Sequence, residues 1–562
     1  MDKAIMTRYA AWCEKAATEP DLAAELKDME GDAARIEDAF YRDLDFGTAG
    51  LRGVIGAGTN RMNVYTVARA TQGLADYLNA HFDAPSAAVS YDSRIKSDVF
   101  ARVAAGVLAA NGVKAYIWPQ LMPVPVLSYS VRALGASAGI MVTASHNPSR
   151  YNGYKVYGDD GCQITTEAAK AILAEIEKLD IFEDVKTSDF DAGLADGQIE
   201  YISDDVYTAF IDEVKGQSVL YGDEIDRNIA IVYSPLNGSG LKPVTRALRE
   251  SGHTNITVVK EQEEPDGNFP TCPSPNPEIR EAMALGIEYA ERLGADLLLA
   301  TDPDCDRVGI AVKDDSAESS YALLTGNQTG VLLLDYICSQ RVKHGKMPTD
   351  PVMIKSIVST DLAEQVAEGY GVRTINVLTG FKFIGEQILK MERLGKADSF
   401  IFGFEESYGY LSGPYVRDKD GVDASLLICE MFCYYASKGI SLTDRLAQIY
   451  EKYGYCLNRV HSYMFEGAAG FDRMKEIMNN FRGDIAAVAG RRITAKLDFA
   501  DGIDGLPPAD VLKFVFDGGS VVVRPSGTEP KLKVYITVSA ADRKTAEVAA
   551  DEILEGVIVY FK

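Results

Sequence analysis

Apolar positions follow two kinds of pattern along this chain. Over about residues 4–40 they recur at helical spacing between charges, which predicts an amphipathic helical stretch. Beyond it, short apolar runs alternate with helical stretches, and the arrangement recurs three times. In the first copy the runs are Ala87–Ser90, Val113–Ile117 and Ala138–Val142, the last ending in a polar loop at Thr143–Pro148. In the second they are Ile229–Val232, Ile256–Val259 and Leu297–Ala300, with a polar loop at Asp302–Arg307. In the third they are Val352–Ile354, Thr374–Val377 and Phe400–Phe402, with a polar loop at Gly403–Ser407. Gly112 precedes Ser145 by 33 residues and Gly371 precedes Glu405 by 34, so the spacing repeats with the pattern.

Such runs predict mainly parallel sheets covered by helices on both faces. Ligands of these sheets bind beyond the carboxyl ends of strands. Three copies that point their polar loops into one cleft are the economical arrangement. After about residue 455 the pattern changes. Val511–Phe516 and Ser520–Val523 flank Asp517-Gly518-Gly519, a hairpin signal. Lys531–Val538 alternates as a strand, and Ala541–Val557 has helical spacing. The expected fold class is α/β: three related mixed-sheet α/β domains plus a C-terminal α+β domain around a central cleft. The expected domains are 1–205, 206–325, 326–452 and 453–562.

A chain of 562 residues is long enough for that division. Its charge narrows the function. Lys plus Arg number 57 against 82 Asp plus Glu, a formal net charge of −25. That balance opposes binding to nucleic acid or to an anionic membrane surface. An anionic small molecule would need local cations to reverse the field, leaving the surplus acid mostly on solvated surface, with Asp302, Asp304 and Asp306 the expected exceptions. The eight cysteines are scattered, as expected of free thiols in a reducing cytoplasm. Met1-Asp2-Lys3-Ala4 lacks the start of a signal peptide, and no apolar run approaches the ~20 residues of a membrane span.

Five loops carry chemistry. In Thr143-Ala144-Ser145-His146-Asn147-Pro148 a serine at a strand end, before His and a turn-forming Asn-Pro, is a nucleophile candidate. In Asp302-Pro303-Asp304-Cys305-Asp306-Arg307 three carboxylates at i, i+2 and i+4 of an extended loop share one side of the chain. They suit one hard divalent ion, with Mg²⁺ the natural choice; an EF-hand fails at Arg307 and Lys313. A phosphatase with an aspartate nucleophile is the competing reading of a strand followed by Asp-x-Asp. Gly403-Phe404-Glu405-Glu406-Ser407-Tyr408-Gly409 offers carboxylate and hydroxyl groups suited to sugar hydroxyls. Arg524-Pro525-Ser526-Gly527-Thr528-Glu529-Pro530-Lys531 combines a guanidinium fork, hydroxyls, Lys and a Gly turn, the equipment of a phosphate cradle. Phe46–Gly53 sets three glycines around Arg52.

Together with Asn152-Gly153-Tyr154-Lys155, these segments resemble the α-D-phosphohexomutase superfamily, and they occur in that family's order. The resemblance implies four domains around a central cleft and a Mg²⁺-dependent phosphoserine mutase. Ser145 looks like the phosphoserine. Asp302, Asp304 and Asp306 look like the Mg²⁺ ligands, with a phosphoserine oxygen completing the set. Arg307 would pair with the transferring phosphoryl group, and Arg52 would lie near the phosphoserine. Lys155 and His146 are the candidate acid/base and phosphoryl-stabilising groups, Lys155 ranking first. Glu405 and Ser407 would hold sugar hydroxyls. Arg524, Ser526, Gly527, Thr528 and Lys531 would hold the non-transferring phosphate. Lys382 matches a substrate-contacting lysine of the phosphoglucomutase branch.

Glu-Glu-Ser-Tyr-Gly is similar to phosphoglucomutase sequences, and Phe-Gly-Thr-Ala-Gly-Leu-Arg with Asn-Gly-Tyr-Lys-Val-Tyr looks most like the branch that holds bacterial phosphoglucomutases and eukaryotic phosphopentomutases. The implied activity is interconversion of glucose 1-phosphate and glucose 6-phosphate through glucose 1,6-bisphosphate. The implied enzyme is a cytoplasmic monomer or homodimer whose partners are small sugar phosphates. Phosphopentomutase or phosphomannomutase activity, and a metal-dependent sugar-phosphate phosphatase using Asp304, are the alternatives.

Overall fold

The computed structural model describes residues 2–47, 50–314, 320–465, 467–503, 505–526 and 531–561, with 467–469 described at the backbone only. The N-terminal helical stretch is three helices, Lys3–Lys15, Pro20–Asp28 and Ala33–Phe40. Pro20 can only open a helix, because it lacks an N–H to bond backwards. Asp32 opens the third by accepting a hydrogen bond from Arg35 N. Trp12, Leu26 and Phe40 from the three helices pack together, with Tyr65 and Phe182 at the edge of the cluster.

The first sheet has six strands in the order Gly50–Val54, Tyr151–Gly158, Ala138–Val142, Ser86–Tyr91, Lys114–Ile117, Ile199–Tyr201. The second runs Tyr321–Leu324, Val308–Lys313, Leu297–Thr301, Ile231–Ser234, Ile256–Val258. The third runs Arg373–Val377, Val352–Ser356, Phe400–Glu405, Gly409–Leu411. In each, the three strands read from the apolar runs pair in parallel. The strand after each polar loop returns antiparallel beside its predecessor. The polar loops are therefore reverse connections rather than strand-to-helix crossovers, which is why a short segment suffices. Each loop contains a side-chain-bearing residue in the left-handed region: Ser145 at φ 51°, Cys305 at 49° and Tyr408 at 67°. The three-fold repeat thus extends to the backbone of the loops.

The fourth sheet is antiparallel throughout, in the order Tyr455–Met464, Lys531–Ala540, Gly519–Pro525, Leu512–Phe516, Arg491–Asp498, Ala487–Val488. The Asp517-Gly518-Gly519 signal marks its central hairpin. One apolar cluster joins the second and third sheets to part of the first, through Trp118, Phe210, Tyr233, Leu332, Ile354 and Phe404. The fourth unit has its own core, including Ile477, Phe514, Val534 and Ile553. It meets the third at a seam of Ile357, Val358 and Leu378 against Phe499, Val511, Val522 and Tyr535. Full burial of one such side chain contributes about 1.5–3 kcal/mol, enough to seat a domain without merging two cores.

One expectation about charge fails. Asp302, Asp304 and Asp306 are not the only acids withdrawn from solvent: Asp92, Asp335, Glu405, Asp418, Asp420, Asp423 and Glu430 are buried too. Each has a partner that composition could not reveal. Asp335, for example, accepts from Arg445, Tyr370 and Tyr435. Seven of the eight cysteines are buried free thiols, Cys13 being exposed. Among the described residues no helix is long and apolar enough to cross a membrane.

Candidate functional site

Ser145 sits in the reverse connection after Ala138–Val142. Its N–H donates to Thr143 Oγ1 at 2.8 Å, and its Oγ donates to Asp302 Oδ2 at 2.9 Å. His146 Nδ1 is 3.1 Å from the same Oγ. Burial, then the charges on Arg307 and Arg52, push the His146 pKa well below the usual imidazole range, so the ring is neutral. Arg52, on Gly50–Val54, donates to Asn147 Oδ1 at 3.3 Å. The return strand brings in Lys155, whose Nζ donates to Asp304 Oδ2 at 3.0 Å. Its neighbour Gly153 has a steric reason: a Cβ there would lie 2.4 Å from Thr143 O.

The Asp302–Arg307 segment is a turn, not the extended loop expected. Cys305 in the left-handed region folds the chain back, and one oxygen from each of Asp302, Asp304 and Asp306 comes within 4.8 Å of the others. All three are buried, and Asp304 Oδ1 and Asp306 Oδ1 have no hydrogen-bond partner. Buried acceptors left open are costly. Hard oxygens aimed at one point fit a divalent cation.

Cations ring the turn. Lys155 is 3.9 Å and Lys419 is 3.2 Å from Asp306 Oδ2; Arg307 Nε is 3.6 Å from Asp306 Oδ1 and 3.9 Å from Asp302 Oδ2. Burial alone would raise Asp306, but Lys419, Lys155 and Arg307 outweigh it and hold the carboxyl below its usual range. Asp302 is pushed well above that range by burial, then by Asp306 and Asp304, with Arg307 opposing.

The Gly403–Gly409 loop reaches the residue after the turn, Val308 N donating to Tyr408 O at 3.1 Å, and the later helix Gly421–Ala436 meets the turn itself, Gly421 N donating to Cys305 O at 3.1 Å. Glu405 is buried and accepts from Gly380 N at 2.7 Å; Ser407 is half-buried in the turn that follows. Burial, then Glu405, push Glu406 up to about 6, while Arg524 works against the rise. Arg524 and Ser526 line a cavity of about 1050 Å³ with Thr379, Lys382 and Gln163. Burial lowers the Lys382 pKa. Ser526 N donates to Lys531 O at 2.7 Å, closing the base of the fourth loop. Gly527 and Thr528, expected in that loop, lie outside the described residues.

Three residues of this site escaped the sequence reading. Lys419 touches Asp306 and Asp418, both at 3.2 Å. Its signal was the run Arg417-Asp418-Lys419-Asp420, a dense set of charges between apolar segments. Asp92 and Arg94, in the loop after Ser86–Tyr91, lie beneath the serine loop. Asp92 accepts from Thr143 Oγ1 at 2.6 Å, and Arg94 donates to Ser145 O at 2.5 Å.

The fold and site define a class: a four-unit α/β protein in which a serine faces a carboxylate turn ringed by cations, with a separate cavity that Lys382 and Arg524 help to line. Comparison with known proteins gives the same answer. Residues 43–181, 208–315 and 325–453 match the descriptions "Phosphoglucomutase/phosphomannomutase, alpha/beta/alpha domain" I, II and III, and 472–555 match the C-terminal domain. The chain belongs to the phosphoglucomutase/phosphomannomutase family. It is 36% identical to a phosphoglucomutase of Staphylococcus saprophyticus, over 88% of this chain and 90% of that one. Its fold is similar to that of parafusin, a phosphoglucomutase from Paramecium solved in an open form. That match has TM-score 0.67 and 17% identity, covering 92% of this chain and 95% of that one. It is also similar to an N-acetylphosphoglucosamine mutase of Aspergillus fumigatus solved with GlcNAc-6P and magnesium. There the TM-score is 0.52 at 14% identity, covering 97% and 100% of the two chains.

Proposed function

We propose that this protein interconverts glucose 1-phosphate and glucose 6-phosphate, with Ser145 as the phosphoryl carrier and glucose 1,6-bisphosphate as the intermediate. The observation that carries the reading is Ser145 Oγ at 2.9 Å from a buried three-carboxylate turn that three cationic side chains surround. The relatives at 36% identity that are named phosphoglucomutase support glucose as the sugar. Phosphoryl transfer needs in-line positioning and neutralised charge more than covalent help. Mg²⁺ held by Asp302, Asp304 and Asp306 would supply positive charge to the transferring phosphoryl oxygens.

The chain's own groups do the rest. Arg307 and Lys155 offset charge on the transferring group. In the return step Ser145 Oγ forms a bond to phosphorus as the sugar oxygen leaves. The serine proton passes to the neutral His146 ring, whose Nδ1 is 3.1 Å away, and Lys155, the first-ranked acid/base candidate, gives a proton to the leaving sugar oxygen, so that a free hydroxyl departs. Glu405 and Ser407 read sugar hydroxyls, while Lys382, Arg524, Ser526 and Lys531, with Gly527 and Thr528, hold the phosphate that stays. One binding set must accept both ends of the sugar, since the bisphosphate turns over between the two transfers. We place the enzyme in the cytoplasm, where its free thiols stay reduced.

The test is a coupled assay with the 1-phosphates of glucose, mannose and ribose, with and without glucose 1,6-bisphosphate. Peptide mapping for phosphate on Ser145 accompanies it. The expected result is bisphosphate-dependent turnover of glucose 1-phosphate, lost in Ser145→Ala. Activity that survives Ser145→Ala and disappears in Asp304→Asn would replace this reading with the phosphatase.

A further inference from the structure

Arg94 occupies the loop between Ser86–Tyr91 and the helix Ser97–Ala110, with 2% of its surface exposed. Its guanidinium collects four backbone carbonyls from the serine loop. One terminal nitrogen donates to Pro148 O at 3.1 Å and Tyr151 O at 3.0 Å; the other donates to Ser145 O at 2.5 Å and to Asn147 O. The left-handed φ of 51° at Ser145 is unfavourable for a residue with a Cβ, so something must hold it. Carbonyls drawn onto one buried cation do so.

Arg94 is itself held from two sides. Asp92 Oδ2 lies 3.5 Å from its Nε, and Asp92 is anchored by Arg94 N at 2.9 Å, Ser97 Oγ at 2.8 Å and Thr143 Oγ1 at 2.6 Å. The same Thr143 hydroxyl accepts from Ser145 N and stands 3.2 Å from Asp304 Oδ2. On the other side, Phe269 from the second α/β unit places its ring centroid 5.1 Å from the guanidinium carbon. Gly267 in that segment comes so close that a Cβ would lie 2.4 Å from Ile95 N. The unit that carries the Asp302–Arg307 turn is therefore seated against the residue that shapes the serine loop.

We propose that Arg94 is a positioning residue for phosphoryl transfer: its guanidinium sets both the backbone of the serine loop and the approach of Ser145 to the carboxylate turn. The inference rests on the reading of Ser145 as phosphoryl carrier and extends it to a residue bonded to the backbone of the serine loop. Arginine is required because a planar fork of five donors can serve four carbonyls, whereas a lysine ammonium has three donors and acts as a point charge.

The experiment compares Arg94→Lys and Arg94→Met with the full wild-type chain, measuring kcat, KM and the rate of Ser145 phosphorylation by glucose 1,6-bisphosphate. Leu334→Ala, a fully buried substitution in the helix Gly326–Lys343, controls for general destabilisation. The expected result is a kcat and a phosphorylation rate lowered on the order of 10²-fold, the cost of a misplaced reacting group, with KM changed less than about threefold. Lysine is not expected to rescue. The proposal is overturned if Arg94→Lys or Arg94→Met keeps kcat within about threefold of wild type, or if KM rises in step with the loss of kcat. It is equally overturned if Leu334→Ala, at a matched thermal midpoint, loses kcat to the same extent. Should Arg94→Met fail to fold, Arg94→Lys decides alone. The two readings fail differently. A wild-type protein that carries no phosphate on Ser145 removes the carrier reading, and this inference with it. A phosphorylated wild type matched by its Arg94 variants removes only the inference.

Discussion

Replacing Lys419 by Met removes a positive charge from the wall of the carboxylate turn while keeping a side chain of similar length. Lys419 Nζ is 3.2 Å from both Asp306 Oδ2 and Asp418 Oδ1, and all three side chains are buried. At an effective dielectric constant near 20, unit charges that close attract by about 5 kcal/mol. Removing one partner of a buried pair costs about 3–5 kcal/mol, because the other is left uncompensated. Asp418 loses its lysine, whereas Asp306 keeps Lys155 and Arg307 within 4 Å, so the expected loss for Lys419→Met is about 3–5 kcal/mol. Adding Asp418→Asn withdraws one stranded charge and should return about 2 kcal/mol. Urea denaturation in EDTA, followed by far-ultraviolet circular dichroism, measures both. Part of the loss should also disappear on adding Mg²⁺, since a cation at the turn neutralises Asp306. A Lys419→Met protein within about 1 kcal/mol of wild type would refute the charge arrangement described here, as would a double variant no more stable than the single one.

Two further outcomes follow from the same geometry. Titrating Mg²⁺ into metal-free protein should raise the unfolding free energy by about 2.7 kcal/mol at a hundred times its Kd, read as a thermal shift; Asp306→Asn should abolish the increment, and an unchanged increment would remove the ion from this turn. Burial, and then Arg227, push the buried His253 down to about 4 from 6.5, so between those values the unfolded chain binds the proton and the folded protein does not. Stability should therefore be full above pH 6.5 and fall by up to about 3 kcal/mol as pH drops to 4; His253→Gln should flatten that window, and an unchanged acid slope would refute the assignment.

Much of the fold was legible because it is local. Ala138–Val142 is a strand with the bounds its apolar run suggested, and the Gly-Gly hairpin and the last helix fall where turn chemistry and helical spacing put them. The return strands were not legible as such. Tyr151–Gly158, Val308–Lys313 and Gly409–Leu411 run antiparallel to the strands before them, and periodicity along a chain is silent about direction. The N-terminal stretch shows the opposite error, one pattern divided by Pro20 and Gly31 into three helices.

The candidate site divides along the same line. The composition of each loop announced its chemistry: hydroxyl and imidazole together, three carboxylates in five residues, a guanidinium among hydroxyls. Those groups are near neighbours in sequence, so the chain alone determined what each loop offers. Tertiary structure decided what each group faces. Ser145 and Asp302 are far apart in sequence and 2.9 Å apart in space. Lys155 lies beside Asp304, Lys419 beside Asp306, and Arg94 beneath Ser145, all through packing between strands or between domains. The net charge is the clearest case. A surplus of acid seemed unsuited to phosphate, but charge acts over a few ångströms in a buried site, and there burial and proximity set the sign. Composition counts charges; only the fold fixes their distances.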